Sequence, residues 1–372
     1  MIGAPRSRAK IEAPRRELRV LVQQGGGALG AYQAGVYERL AAAKLEPDWV
    51  VGISIGAING ALIAGNPPQR RLERLREFWD RVSVPGSGWL PGQDWSSHYA
   101  MAFGVPGFFS PRLTLASLAP PGTDAALSYY DTAPLKATLE ELVDFDRLNG
   151  GPVRLSVGAI EVCSGDERWF DTARETITAD HILASGALPP SFPPVVIDGV
   201  AYWDGGIVSN TPLQYVIDHP PAQDLLIFQV DLFSARGSMP RTLADVTHRE
   251  KDLRYSSRTS LHGPVTARLR RLRHHAVQLI AELPPDQRRS AAAQALLDEV
   301  QARRATLARL VHRGLDHAGH ARDVGFGHAT LSSLRQEGRT DMDRLLASDA
   351  WHRRSPPIDG LQVIEMEGES QA

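Results

Sequence analysis

The chain has one cysteine, Cys163, among 372 residues, and that excludes an internal disulfide and fits a reducing compartment. It lacks a charge excess of either sign: 41 basic against 43 acidic residues leave a net charge of −2. No global field therefore argues for nucleic acid or for an anionic surface as partner. Its longest charge-free stretch, Trp49 to Gln69, holds Ser54, Asn59, Asn66, two prolines and several glycines. A bilayer span needs about 20 predominantly apolar residues, so a buried strand followed by a buried helix explains this stretch better. The N-terminus, Met1 to Arg19, is basic and carries proline but no apolar h-region, so it reads as a frayed tail rather than a secretory signal.

What is present is length enough for a large core, and glycine in two pointed arrangements. Leu18–Val22 is a short apolar run that ends at Gly25-Gly26-Gly27-Ala28-Leu29-Gly30. Leu29, Tyr32, Val36 and Leu40 then recur at helical spacing. Trp49-Val50-Val51 predicts the next strand and Ile55 to Ala64 the next helix, stopped by Gly65-Asn66-Pro67-Pro68. Between these two sits Gly52-Ile53-Ser54-Ile55-Gly56, the G-x-S-x-G pattern of a serine held on a strained strand-to-helix turn. Both glycine turns thus lie at strand C-termini of a doubly wound layout, where open α/β sheets place their active sites.

Acyl transfer needs a nucleophile and donors for the oxyanion that its attack creates. Ser54 supplies the first, and the glycine run can aim several N–H groups at one point. The run also satisfies G-x-G-x-x-G through Gly25, Gly27 and Gly30, but a dinucleotide fold wants an acid at the end of the second strand. Here Glu46 and Asp48 precede that strand, which makes the dinucleotide reading weak.

Further along, Val153–Val162 alternates as a strand, and His181–Leu188 makes a short helix before Pro189-Pro190. Val195–Ile197 and Val200–Trp203 flank Asp198-Gly199, a hairpin signal, and Asp204-Gly205-Gly206 follows at once. Leu225–Phe233 reads as another buried strand. Asp204, directly after a strand, is a better base for Ser54 than any of the 12 histidines, none of which sits in a recognisable strand-end loop. His219 is the nearest after Asp204, and His317 and His320 have i, i+3 spacing without a supporting carboxylate or cysteine cluster, so no metal is expected. A Ser–His–Asp esterase and a noncatalytic lipid-binding module stay open as alternatives.

Three motifs in this order, G-G-G-x-x-G, G-x-S-x-G and D-G-G, resemble the patatin-like phospholipase family over residues 18–233. The stretch Ala184–Pro190 and Phe192-Pro193-Pro194 resembles the family's approach to the aspartate loop. Tyr255-Ser256-Ser257-Arg258 and Asp323-Val324-Gly325-Phe326 are similar to the C-terminal extension of one bacterial branch. The resemblance implies a three-layer α/β/α fold with a mostly parallel central sheet and a helical C-terminal extension. It also implies a Ser54–Asp204 dyad without histidine, no cofactor, and a lipid ester as substrate. Gly25, Gly26, Gly27, Ala28 and Ile55 would form the oxyanion hole, and Gly30, Gly52, Gly56, Gly205 and Gly206 are the motif glycines. Leu29 stands where many members carry Arg or Lys.

The expected organisation is a basic tail over 1–17, a hydrolase domain over 18–239, a helical extension over 240–355 and a loose tail over 356–372. Beyond about Pro240 no strand is expected, with helices over Ala267–Leu283, Asp286–His312 and Ala329–Leu346. The expected location is the cytoplasm with peripheral membrane contact. Two features could supply that contact: the aromatic Gly/Pro-rich stretch 86–109, and the arginines Arg268, Arg270, Arg271 and Arg273.

Overall fold

A computed structural model describes residues 17–84, 94–210, 212–219, 223–256, 272, 275–300, 305–313, 322–355 and 361–365. The Arg268–Arg273 cluster, His317, His320, Trp89 and nearly all of the N-terminal tail lie outside these residues.

A nine-stranded sheet organises the molecule, in the order β11-β10-β9-β1-β2-β5-β8-β7, with β6 also paired to β5. Its first members are β1 (Leu18–Gln23) and β2 (Trp49–Gly52), with β5 (Arg154–Glu161) and β6 (Glu167–Asp171) beyond them. The hairpin is β7 (Val195–Ile197) and β8 (Val200–Asp204). On the other side stand β9 (Leu225–Asp231), β10 (Ala305–Val311) and β11 (Leu361–Glu365). From β11 through to β5 every neighbouring pair is parallel, and the β5–β8, β7–β8 and β5–β6 pairs are antiparallel. A separate two-stranded ribbon joins β3 (Ser110–Pro111) to β4 (Tyr130–Asp131).

Successive strand side chains point to opposite faces, and the sequence uses that to build two cores. Leu21, Val50, Leu155 and Phe228 pack on one face against α1 (Gly30–Ala42), α2 (Ile55–Ala64) and α3 (Pro68–Arg81). Val20, Val22, Trp49, Val51 and Ile227 pack on the other, beneath Leu213, Tyr215 and Val216 of the short helix Leu213–Asp218. This is the three-layer α/β/α arrangement expected. The Asp198-Gly199 turn is also found, with φ of 49° and 82° at its two residues and Ile197 paired to Val200. Positive φ at both positions is what a tight hairpin turn of this hand demands.

The expectation that strands stop near Pro240 is corrected. The C-terminal region is mostly helical, but it also supplies β10 and β11 to the central sheet. The long helix expected over Asp286–His312 is two short helices, Pro285–Arg288 and Ala291–Val300, followed by β10. Ala305–Val311 is rich in Ala, Leu and Arg, which favour helix in isolation. Pairing with the fully buried β9 overrides that propensity, and Arg309 of β10 places its guanidinium 2.7 Å from buried Asp231. Part of the segment expected as a loose tail likewise forms β11 on the edge of β10.

The helix His328–Ala347 lies along α1. Gly35 and Gly338 make that approach possible: a Cβ at Gly35 would fall 2.0 Å from the Arg335 carbonyl oxygen, and one at Gly338 2.1 Å from that of Tyr32. Tyr32 donates to Asp341 at 2.8 Å, and Glu38 accepts from both Arg76 and Arg339. No helix among the described residues is long and apolar enough to cross a membrane.

Candidate active site

Ser54 ends the turn after β2 with φ 55° and ψ −123°, a left-handed conformation that a residue with a side chain adopts only under constraint. Such a position costs on the order of 1–3 kcal/mol and persists only where its surroundings over-determine it. Here they do. The Ser54 N–H is shared by the carbonyl oxygen of Ser185 at 3.1 Å and its Oγ at 3.0 Å, while the Gly56 N–H donates to Ile53 at 2.8 Å. Ser185 in turn donates its hydroxyl to the Gly158 carbonyl at 2.7 Å, tying the elbow to β5.

The flanking glycines are there for space. A Cβ at Gly52 would sit 2.4 Å from the backbone of Gly56, and one at Gly56 2.4 Å from the Gln23 carbonyl. A Cβ at Gly30 would meet Ile55 at 2.3 Å, so Gly30 lets α1 and α2 start side by side.

The glycine loop passes directly over the serine. A Cβ on Gly25 would fall 2.9 Å from that of Ser54. Gly27 has φ 55°, the left-handed region that favours glycine, and its Cα faces the carbonyl of Asp323. Among the described residues the N–H groups of Gly26, Gly27 and Ile55 have no backbone acceptor. Ile55 is also the first residue of α2, where N–H groups and helix dipole both favour negative charge. Ala28 is fully buried in the 3₁₀ turn Gly27–Leu29.

Gly25 behaves differently from its expected role. Its N–H donates to Asn210 Oδ1 at 3.0 Å, and its carbonyl accepts from Asn210 Nδ2 at 3.0 Å. That N–H is spent on holding the loop in place and is not available to an oxyanion.

Asp204 closes β8 opposite the serine. Its backbone N–H donates to Ala187 at 3.0 Å, and its Oδ1 accepts from the Gly206 N–H at 2.7 Å. The Ser54 side chain also acts on this carboxylate, favouring its charged form. Gly205 has to be glycine because a Cβ would lie 2.7 Å from the Gly158 carbonyl, and a Cβ at Gly206 would crowd Asn210 and Asp204 itself. Asp204 is almost wholly buried, and loss of hydration pushes its carboxyl up from the ordinary 3.8 to about 6. The influence of Ser54 and the bond from Gly206 pull the other way but do not cancel the burial.

The described histidines with known ring contacts are occupied elsewhere. The His181 ring caps its own helix at Thr178, that of His219 meets the Tyr215 carbonyl, and buried His312 lies 3.2 Å from Glu337.

Sequence reading missed the residues that hold this arrangement together. Asn210 and Ser185 are the main ones; Ser185 sits inside the Ala184–Pro190 stretch, and Asn210 six residues beyond Asp204. Gln24 is a third: its Oε1 accepts the Leu232 N–H, and its Nε2 donates to the Tyr255 carbonyl at 2.6 Å. Tyr255 and Asp323 belong to the C-terminal region, so that region reaches the glycine loop.

A family model described as patatin-like phospholipase matches residues 21–217. The chain belongs to the patatin-like phospholipase family. A second model, described as patatin phospholipase, matches residues 253–358, the part that supplies β10 and the long helix. One relative of this family, a Caenorhabditis elegans protein described as patatin-like phospholipase domain-containing, is 43% identical over 63 residues. That match covers 17% of this chain and 6% of the nematode protein. Among solved structures, VipD from Legionella pneumophila aligns over 90% of this chain and 67% of its own, with TM-score 0.40 and 14% identity. The type III effector protein ExoU aligns over 92% and 84%, with TM-score 0.25 and 14% identity.

Proposed function

We propose that this chain is a lipid acyl hydrolase in which a Ser54–Asp204 dyad cleaves carboxylic esters through an acyl-enzyme. Membership of a phospholipase family supports the reaction class. The observation that carries the residue assignment is the buried carboxyl of Asp204, which the Ser54 side chain influences directly and which burial pushes up to about 6. A carboxylate with the ordinary aspartate value is too weak a base near neutrality, and burial corrects that. As Oγ attacks the ester carbonyl, Asp204 takes the serine proton. The N–H groups of Gly26, Gly27 and Ile55 receive the tetrahedral oxyanion; one such donor is typically worth about 10²–10³ in rate. Asp204 returns its proton to the leaving alcohol, then activates the water that releases the fatty acid.

Contact with lipid is peripheral in this reading. Phe103, Leu113, Leu115 and Leu118 are exposed on the segment around the β3–β4 ribbon, and the backbone of Tyr129 and Tyr130 ties that ribbon to Pro190 and Ser191. The ribbon therefore hangs from the same wall that carries Ser185 and Ala187.

Labelling with a fluorophosphonate tests the assignment. Ser54 should be modified, and Ser54→Ala should leave less than about a hundredth of wild-type ester hydrolysis, since losing a nucleophile in comparable enzymes costs far more. Failure of the intact protein to label would favour a noncatalytic lipid-binding module. Activity that survives Asp204→Asn and dies with a histidine substitution would favour a Ser–His–Asp esterase.

A further inference from the structure

The glycine loop and the Asp204 turn lie far apart in the sequence, and one buried side chain, Asn210, touches both. Its Oδ1 accepts the Gly25 N–H and its Nδ2 donates to the Gly25 carbonyl, each at 3.0 Å. An amide that engages the donor and the acceptor of one residue fixes that residue in rotation as well as position, where a single bond would leave a hinge. Gly25 is the residue that passes over Ser54: a Cβ on it would fall 2.7 Å from Asn210 Oδ1 and 2.9 Å from the Ser54 Cβ. On the other side the same Oδ1 meets the turn after β8. A Cβ on Gly206 would fall 2.9 Å from Asn210 Oδ1 and 3.0 Å from Asp204 Oδ1. Gly206 is also the residue whose N–H holds Asp204 Oδ1 at 2.7 Å.

A third contact braces the amide. Its Nδ2 lies 3.4 Å from the carbonyl of Tyr255, at the end of the helix Leu243–Tyr255, and the same carbonyl accepts from Gln24 at 2.6 Å. An aspartate at 210 would have the same outline as Asn210, but it would have no hydrogen for the Gly25 carbonyl. It would also set a second negative charge beside the first, since Asn210 Oδ1 and Asp204 Oδ1 both approach one point to about 3 Å. Like charges at such range hold each other protonated. The other groups that act on Asp204 are the Ser54 side chain and the Gly206 N–H. Tyr255 feels the Asp204 charge in turn: burial first and that charge second push its phenol up, so it stays neutral where Asp204 titrates.

Resting on the hydrolase reading above, we propose that Asn210 is a positioning residue: its carboxamide sets the spacing between the oxyanion donors of the glycine loop and the Asp204 turn, and its neutrality keeps a second charge away from that turn. The oxyanion exists only in the transition state, so a misplaced loop costs turnover rather than substrate affinity.

Asn210→Ala and Asn210→Asp test this with p-nitrophenyl butyrate as substrate. Asn210→Ala should lower kcat at least about tenfold and leave KM within about twofold. Asn210→Asp should lower kcat as well, and should move the acid limb of kcat/KM, expected at about 6 in the wild type, upward by about one pH unit or more. Because it keeps the outline of the side chain, Asn210→Asp carries the test if Asn210→Ala does not fold. A lower Tm with kcat and the acid limb unchanged would make Asn210 a structural residue only and overturn the proposal, and so would a loss confined to KM. Amide hydrogen exchange gives a readout independent of hydrolysis. The Gly25 N–H should exchange at least about tenfold faster in Asn210→Ala, while amides of β2 and β5 keep their wild-type rates. That result supports the positioning role even if no ester is turned over, which would count against the hydrolase reading alone. Unchanged exchange at Gly25 would overturn the positioning role whatever the activity.

Discussion

At the scale of single residues, Asp204 is placed where its charge is costly to the fold and useful to the chemistry. In the proposed dyad its carboxyl must be ionised to accept the Ser54 proton, so kcat/KM for a soluble ester should fall as pH drops through about 6. The stability consequence has the opposite direction. Between 3.8, its ordinary value, and about 6, the folded protein holds a proton that the unfolded chain has released. Folding stability attributable to this group is therefore highest below that window and is lost as pH rises through it. The gap between 3.8 and about 6 corresponds to roughly 3 kcal/mol at neutral pH. Asp204→Asn, uncharged at every pH, should consequently melt higher than wild type at pH 7 while losing ester hydrolysis, and the difference in Tm should close near pH 4. A variant that melts lower than wild type at pH 7 would mean that the buried charge is not the strained element of this site. Ser185 and Asn210 were not legible as functional because their value lies in what they touch. Nothing in a Ser or Asn code says that its oxygen will meet the N–H of Ser54 or Gly25.

At the scale of elements, the strand–turn–helix units read well from the sequence, since each is specified locally. Ile55 to Ala64 is helical over the residues that its apolar run and the Gly65–Pro68 stop mark. The β7–β8 hairpin is fixed by one dipeptide. β10 escaped because its residues favour helix, and only the edge of β9 makes a strand of them. The pairing of α1 with the helix His328–Ala347 was equally invisible, because it depends on two glycines more than 300 residues apart. It makes a sharp prediction. Gly35→Ala or Gly338→Ala forces a Cβ into a facing carbonyl oxygen, and overpacking of this kind typically costs about 1–3 kcal/mol. Either should lower Tm by several degrees, whereas Gly150→Ala, which has nothing within 4 Å of a new Cβ, should stay within about 0.5 kcal/mol of wild type. Thermal melts of the three variants check this together.

At the scale of the whole molecule, the C-terminal region completes the sheet and touches the glycine loop. A chain ended at Pro240 would strip β10 from β9, whose residues are all buried, and remove the helix that covers α1. An exposed apolar strand edge invites aggregation. That truncation should be insoluble or fail to melt cooperatively; a soluble, cooperatively folding product would show that residues 18–239 stand alone. A second prediction concerns the exposed leucines of the β3–β4 segment. Leu113→Ser/Leu115→Ser/Leu118→Ser should reduce cosedimentation with liposomes severalfold, since apolar side chains drive interfacial binding. Hydrolysis of p-nitrophenyl butyrate should be unchanged, and undiminished cosedimentation would remove this surface from the account. The amino-acid sequence by itself determined the Ser54 turn, the glycine loop and the Asp204 turn. Each is a short-range device in which a few φ values and missing Cβ atoms decide the geometry. Only the tertiary structure decided that these three meet, that Asn210 and Ser185 lock them, and that the C-terminal region belongs to the sheet. Those outcomes depend on contacts between residues far apart in the chain, and burial, which sets the charge state of Asp204, is a property of the packed whole.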